Sequence, residues 1–120
     1  DILGPLEARR ALEISGADGV MIGRGAYGRP WIVRHTMDYL KTGIMPPEPG
    51  LREKLAIVLE HYEALLRYYG LHQGVIIARK HLGWYCQGLR DSAAFRQEIN
   101  ALTDPERVRE RLRVFFAEPL

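Results

Sequence analysis

The chain has 120 residues, of which 47% are hydrophobic, 27% charged and 9% aromatic, and its formal net charge is +2. This excludes a disordered chain, which pairs low hydrophobicity with high net charge, and no apolar run of roughly 18 residues is present to form a membrane span. A single cysteine, Cys86, excludes an internal disulfide, cannot make a metal site by itself, and points to a reducing, cytoplasmic setting.

The chain opens Asp1-Ile2-Leu3-Gly4, with neither an initiator methionine nor a signal-peptide pattern, and reads as a piece of something longer. Gly4-Pro5 starts a helix with proline in its first turn. Leu6, Ala8, Ala11, Leu12 and Ile14 give that helix its apolar side, and Ser15-Gly16 ends it on a glycine cap. Val20-Met21-Ile22, between glycines, suits a short parallel strand buried on both faces. Gly23-Arg24-Gly25 follows, and Gly28-Arg29-Pro30 leads into a helix from Trp31 to Lys41 that Thr42-Gly43 closes. Helix, buried strand, glycine loop and helix make a slice of an α/β architecture.

Met45-Pro46-Pro47-Glu48-Pro49-Gly50 can continue neither helix nor strand, so residues 46–50 are expected to link two parts, 1–45 and 51–120. Downstream, four helices are expected. Leu51 to Tyr69 carries helical spacing and stops at Gly70. Gln73 to Cys86 is apolar nearly all round and should be the central helix of a small bundle. Asp91 or Ser92 caps a third helix bearing Phe95, Ile99 and Leu102. Thr103-Asp104-Pro105-Glu106 reads as a capping box with Thr103 at the N-cap. The last helix then puts Val108, Leu112, Phe115 and Phe116 on one face and Arg107, Arg109, Arg111 and Arg113 largely elsewhere.

Two segments carry the chemical interest. A glycine loop at the carboxyl end of a buried strand, as in Gly23-Arg24-Gly25, brings backbone N–H groups close to a phosphate, and Arg24 adds a charged fork. In (β/α)8 barrels the loops after the last two strands often build such a site. A tight turn whose glycines only meet steric needs fits the same residues. In Arg79-Lys80-His81-Leu82-Gly83-Trp84-Tyr85 the basic groups splay over a broad arc, and with Arg90 they could grip a nucleic-acid backbone while Trp84 or Tyr85 stacks on a base. A core helix with packed aromatics and solvated cations fits too, and composition alone favours it. Of the 17 basic residues 14 are arginine, which suits an anionic partner but also high-GC coding. Cys86 has no acid–base partner at a telling spacing, and His35, His61, His72 and His81 lack metal-ligand spacing, so no metal is expected.

Taken together, Asp1-Ile2, a helix, then Gly16 through Ile32 with Gly23-Arg24-Gly25, and Arg79 through Tyr85 downstream, resemble the tRNA-dihydrouridine synthases, over essentially the whole chain. The similarity is greatest to the bacterial branch often labelled B, or nitrogen-regulation-like. The resemblance implies an FMN-containing TIM barrel, (β/α)8, followed by a four-helix bundle that helps hold tRNA: residues 1–45 would be the end of the barrel and 51–120 the helical tRNA-binding domain. The isolated chain would be mostly helical. Asp1 would lie in the loop after strand seven, Gly23 and Arg24 would cradle the FMN phosphate after strand eight, and Gly25 would permit the tight backbone path. Arg79, Lys80 and His81 match positions implicated in tRNA contact, with Tyr85 and Arg90 as weaker matches. In the family NADPH reduces FMN, reduced flavin passes hydride to a uridine flipped from the tRNA, and a cysteine protonates the ring. That cysteine belongs to an earlier barrel loop, and Cys86 lies in the wrong domain for the role, so the chain alone is expected to be inactive. The expected partners are tRNA and its cofactors, with no membrane; nothing in the sequence fixes the oligomeric state, and a monomer is the default. A stand-alone helical RNA-binding module, or the end of another phosphate-binding TIM barrel, remains open.

Overall fold

The structure, a computed structural model, describes residues 2–117. Among them are six α-helices and a single 3-10 turn: α1 (Pro5–Ser15), the turn Arg24–Ala26, α2 (Ile32–Thr42), α3 (Leu51–Tyr69), α4 (Leu71–Tyr85), α5 (Ser92–Ala101) and α6 (Pro105–Phe115). Two compact units result, Asp1–Glu48 and Pro49–Leu120, and residues 44–50 carry no regular structure.

In the first unit, α1 begins with Pro5 in its first turn and ends where Gly16, at φ 68, returns its N–H to the Leu12 carbonyl. A non-glycine residue would be strained in that left-handed conformation. Gly43 closes α2 in the same way at φ 74. Within this unit α1 packs on α2, burying Pro5 and Ala8 on one side and Ile32, Thr36 and Tyr39 on the other. Only one face of α1 is therefore covered. Of its five expected apolar residues, Ala8 is buried, Ala11 and Leu12 are half-buried, and Leu6 and Ile14 are exposed.

The expected strand Val20-Met21-Ile22 is corrected here: the segment is irregular, and Met21 is 85% exposed. A strand exists through its ladder. A two-sided parallel strand needs a neighbour to receive its N–H groups and helices to cover its faces, and no strand among the described residues offers either. The turn that follows does form.

The second unit is a four-helix bundle. Val58, Tyr62 and Leu66 on α3 meet Val75, Ala78, Leu82 and Tyr85 on α4, with Phe95 and Ile99 from α5 and Val108 and Leu112 from α6 completing the core. Each large apolar side chain buried this way contributes on the order of 1.5–3 kcal/mol. Both α4 and α6 pack against all three of the other helices. The Tyr62 hydroxyl donates to the Pro105 carbonyl at 3.0 Å, tying α3 to the start of α6.

Two caps differ from expectation. Asp104, not Thr103, is the N-cap of α6, and its side chain accepts from the Glu106 N–H at 3.0 Å. With Thr103 as cap, Asp104 would have to be helical immediately before Pro105, which the proline ring disfavours. Moving the start by one residue places Pro105 at the first helical position, where its missing N–H is harmless. Asp91 precedes α5 at φ 61 and makes no side-chain capping bond, because a left-handed backbone turns the carboxylate away from the geometry that capping requires.

Candidate functional site: a basic cleft between two helices

Successive residues on a helix point about 100° apart, so the segment Arg79–Tyr85 divides between two sides of α4. Arg79, Lys80, Gly83, Trp84 and Gln87 share one side. They line a cleft of about 280 Å³ together with Arg96 and Asn100, which sit four residues apart on α5. No acidic side chain is in that lining. At Gly83 the floor of the cleft is close to the Arg96 stem, where a Cβ would lie 3.4 Å from the Arg96 Cδ, an ordinary contact. Arg79 is half-buried and fixed: its guanidinium donates to the Leu102 carbonyl at 3.0 Å, and its buried Nε has no hydrogen-bond partner among the described residues.

His81 and Tyr85 face α3 instead. Tyr85 is buried, and its hydroxyl shares a 2.8 Å hydrogen bond with His61 Nδ1. The His81 ring meets His61 edge-on at 4.7 Å and Trp84 at 5.3 Å. Burial pushes the Tyr85 phenol up to about 12 and lowers both imidazoles, with the His61 charge adding to the effect on His81. The sequence placed these two residues among the tRNA contacts; the fold places them inside the α3–α4 packing.

This packing makes acid destabilising. Both histidines hold folded-state values below the usual imidazole value of 6.5, so below that pH the unfolded chain binds more protons than the folded one. Stability is therefore full above pH 6.5 and lost as pH falls through the lowered values. Partial exposure screens the effect, so the loss is modest. The expected result is a lower urea midpoint at pH 5.5 than at pH 7.5, with His61→Gln flattening the difference. An unchanged midpoint in the native chain would contradict it.

Arg90 is exposed and lies apart from the cleft, on a second cavity of about 460 Å³ whose lining includes Phe95, Glu98, Arg111 and Phe115. Three of the four arginines of α6, Arg109, Arg111 and Arg113, are engaged with acids. Arg109 forks onto Glu63, with one contact at 3.2 Å, and also reaches Glu106 at 2.9 Å. Arg111 pairs with Glu98 at 2.8 Å. Hydrogen bonding from Arg109 holds the Glu63 carboxyl below its ordinary range. The α4–α5 cleft, by contrast, gathers Arg79, Lys80 and Arg96 with no acid in its lining.

Arg96, Gln87 and Asn100 escaped the reading of the sequence. Gln87 was legible in principle, since Lys80, Trp84 and Gln87 have i, i+4, i+7 spacing. Arg96 and Asn100 are also i, i+4, but nothing local says which helix they will face.

In the first unit, Gly23 and Arg24 are exposed at the start of the 3-10 turn, and Gly25 is buried. A Cβ on Gly25 would collide with the Ile2 carbonyl oxygen and come within 3.1 Å of the Leu3 Cα, so glycine is required there for packing. At Gly23 nothing lies within 4 Å of a Cβ position, so packing does not demand glycine there. Asp1 lies outside the described residues. Cys86 is fully buried, donates to the Gly83 carbonyl at 3.2 Å, and has its thiol pushed up by burial, the opposite of an activated cysteine. Among the described residues no group of three His, Cys, Asp or Glu converges on a metal position, and no helix is long and apolar enough to cross a membrane.

A family model described as dihydrouridine synthase (Dus) matches residues 1–119. A protein named probable tRNA-dihydrouridine synthase from Rickettsia conorii is 52% identical over 116 residues, covering 97% of this chain and 35% of the relative. Its namesake from Rickettsia bellii is 51% identical over 116 residues, 97% of this chain and 36% of the relative. A protein named tRNA-dihydrouridine synthase B from Pseudomonas putida is 48% identical over 118 residues, 98% of this chain and 35% of the relative. The chain thus spans about a third of the length of the curated relatives it matches.

Proposed function

The chain belongs to the dihydrouridine synthase family, and from that premise we propose that it forms part of a cytoplasmic enzyme reducing uridines of tRNA to 5,6-dihydrouridine, in which the unit Pro49–Leu120 holds the tRNA. The observation that carries this reading is the α4–α5 cleft, where Arg79, Lys80 and Arg96 converge with Trp84 and no carboxylate. Cations set in a groove with an aromatic wall give a polyanion both its electrostatic attraction and a surface for unpaired bases. Lys80 and Arg96 are exposed and can follow a phosphate backbone, whereas Arg79 is pinned to Leu102 and presents a fixed charge. His81 and Tyr85 act from behind, keeping α4 seated on α3.

The residues of the first unit fit a phosphate of FMN. The exposed Gly23 and Arg24 would hold it, while Gly25 keeps Ile2 and Leu3 packed against the turn. When bound, FMN supplies hydride transfer from NADPH to the base. Cys86 is fully buried in the helical unit, where no base can reach it, and does not supply the proton. The chain by itself is therefore expected to bind tRNA and form no dihydrouridine.

The test is a mobility-shift titration of tRNA across salt concentrations. Binding should weaken steeply with salt, and Lys80→Ala should reduce the logarithmic salt slope by about one while weakening binding to all tRNAs alike. An unchanged slope would overturn the assignment of the cleft to tRNA.

A further inference from the structure

We propose that the α4–α5 cleft is a subsite for one unpaired nucleotide of RNA, with the base stacked on Trp84 and its edge read by the Gln87 and Asn100 side-chain amides. The proposal rests on the assignment of this cleft to tRNA and goes beyond it in saying what part of the RNA enters. Three features of the cleft select a single nucleotide.

The first is size. About 280 Å³ lies just under the usual range of small-molecule sites, room for a single base and not for a base pair. A helical stem can lie only across the mouth. The second is the wall. Its single aromatic side chain, Trp84, offers one stacking surface, and the His81 ring stands edge-on to that indole at 85°, steadying it from the α3 side.

The third is the pair of amides. Each carries an acceptor oxygen and a two-proton donor, the complement needed for the mixed donor and acceptor edge of a base. The NH2 groups can also donate to phosphate oxygens, but the acceptor oxygens match only a group that donates, as a base edge does and a phosphate diester does not. The amides come from the two packed helices, with Gln87 just beyond the end of α4 and Asn100 on α5. Arg79, Lys80 and Arg96 then flank the base, where the phosphates on either side of it would pass. Arg79 is pre-organised for this by its bond to the Leu102 carbonyl.

Trp31 and Trp84 are the two tryptophans of the chain, so Trp31→Phe leaves Trp84 as the sole indole reporter. In that background a single-stranded RNA tetranucleotide is expected to quench the Trp84 emission saturably, and a short RNA duplex is not. Read by the anisotropy of a dye-labelled tetranucleotide, Trp84→Leu should lower affinity about tenfold, with Trp84→Phe keeping most of it, since a phenyl ring still stacks. Gln87→Ala combined with Asn100→Ala should lower the affinity and flatten differences between tetranucleotides of different base. Equal quenching by the duplex, or equal tetranucleotide affinity in Trp84→Leu and the parent, would overturn the subsite. If tRNA binding keeps its Lys80-dependent salt slope while the tetranucleotide gives no quenching, the subsite falls and the tRNA assignment stands. If Lys80→Ala leaves the tRNA slope unchanged, the assignment falls and takes the subsite with it.

Discussion

Reversing two charges, Lys80→Glu together with Arg96→Glu, should lower the affinity of the chain for tRNA about 100-fold at moderate salt. Two phosphate contacts are lost and two repulsions replace them, in a cleft that has no acid of its own to soften the change. Both side chains are exposed, and neither belongs to the apolar core, so helix content and urea midpoint should stay close to the native values. The comparison variant is Arg107→Glu with Arg113→Glu on α6, which alters net charge by the same amount on a different face. It should produce a much smaller loss, because exposed charges more than a Debye length from the bound backbone are largely screened. Equal losses in the two double variants would mean that tRNA responds to overall charge and not to the cleft.

Two glycines of α4 should respond in opposite directions to substitution, and the difference tests the packing directly. Gly74 lies at the crossing of α3 and α4. A Cβ there would sit 2.9 Å from the Leu66 Cα and 3.0 Å from the Leu65 carbonyl oxygen, both backbone atoms that cannot step aside. Gly74→Val must therefore push the helices apart, costing about 3 kcal/mol. In a unit of this size that lowers the Tm by roughly 10–20 °C. At Gly83 the added Cβ would meet only the Arg96 Cδ, at 3.4 Å, the flexible part of a long side chain. Gly83→Ala thus gains helix propensity worth up to about 1 kcal/mol and should raise the Tm by a few degrees. Thermal melts of the two variants decide the matter. A mild effect at Gly74 would contradict the close crossing that seats the central helix.

The helices were legible because their signals are local. Pro5, Gly16, Gly43 and Gly70 punctuate the chain where the helices start and stop, and the 3.6-residue spacing of Val58, Tyr62 and Leu66 names a buried face without any partner in view. The cap of α6 was misplaced by one residue, since the capping-box pattern was read without the restriction that Pro105 imposes on Asp104. The strand at Val20–Ile22 illustrates the opposite limit: its composition suits a buried strand, but a strand is made by neighbours, and composition does not supply them.

The site followed the same division. Arg79 and Lys80 were legible as a basic stretch, but which neighbours share their face depends on helical phase, and phase sends His81 and Tyr85 to α3. Arg96 and Asn100 reach the cleft only because α5 packs on α4, a nonlocal fact that no spacing within α5 encodes. Charge along α6 does not show which of its arginines are taken up by acids, since Glu63 and Glu98, the partners of Arg109 and Arg111, come from other helices.

Ultraviolet cross-linking of the chain to tRNA, followed by peptide mapping, tests the tRNA assignment of the α4–α5 cleft most directly. The expected result is cross-links on Trp84 and on peptides carrying Lys80, Gln87 and Arg96, lost when Lys80→Glu and Arg96→Glu are combined. Cross-links confined to the α6 peptide Arg107–Arg113, with the cleft unmarked, would contradict it.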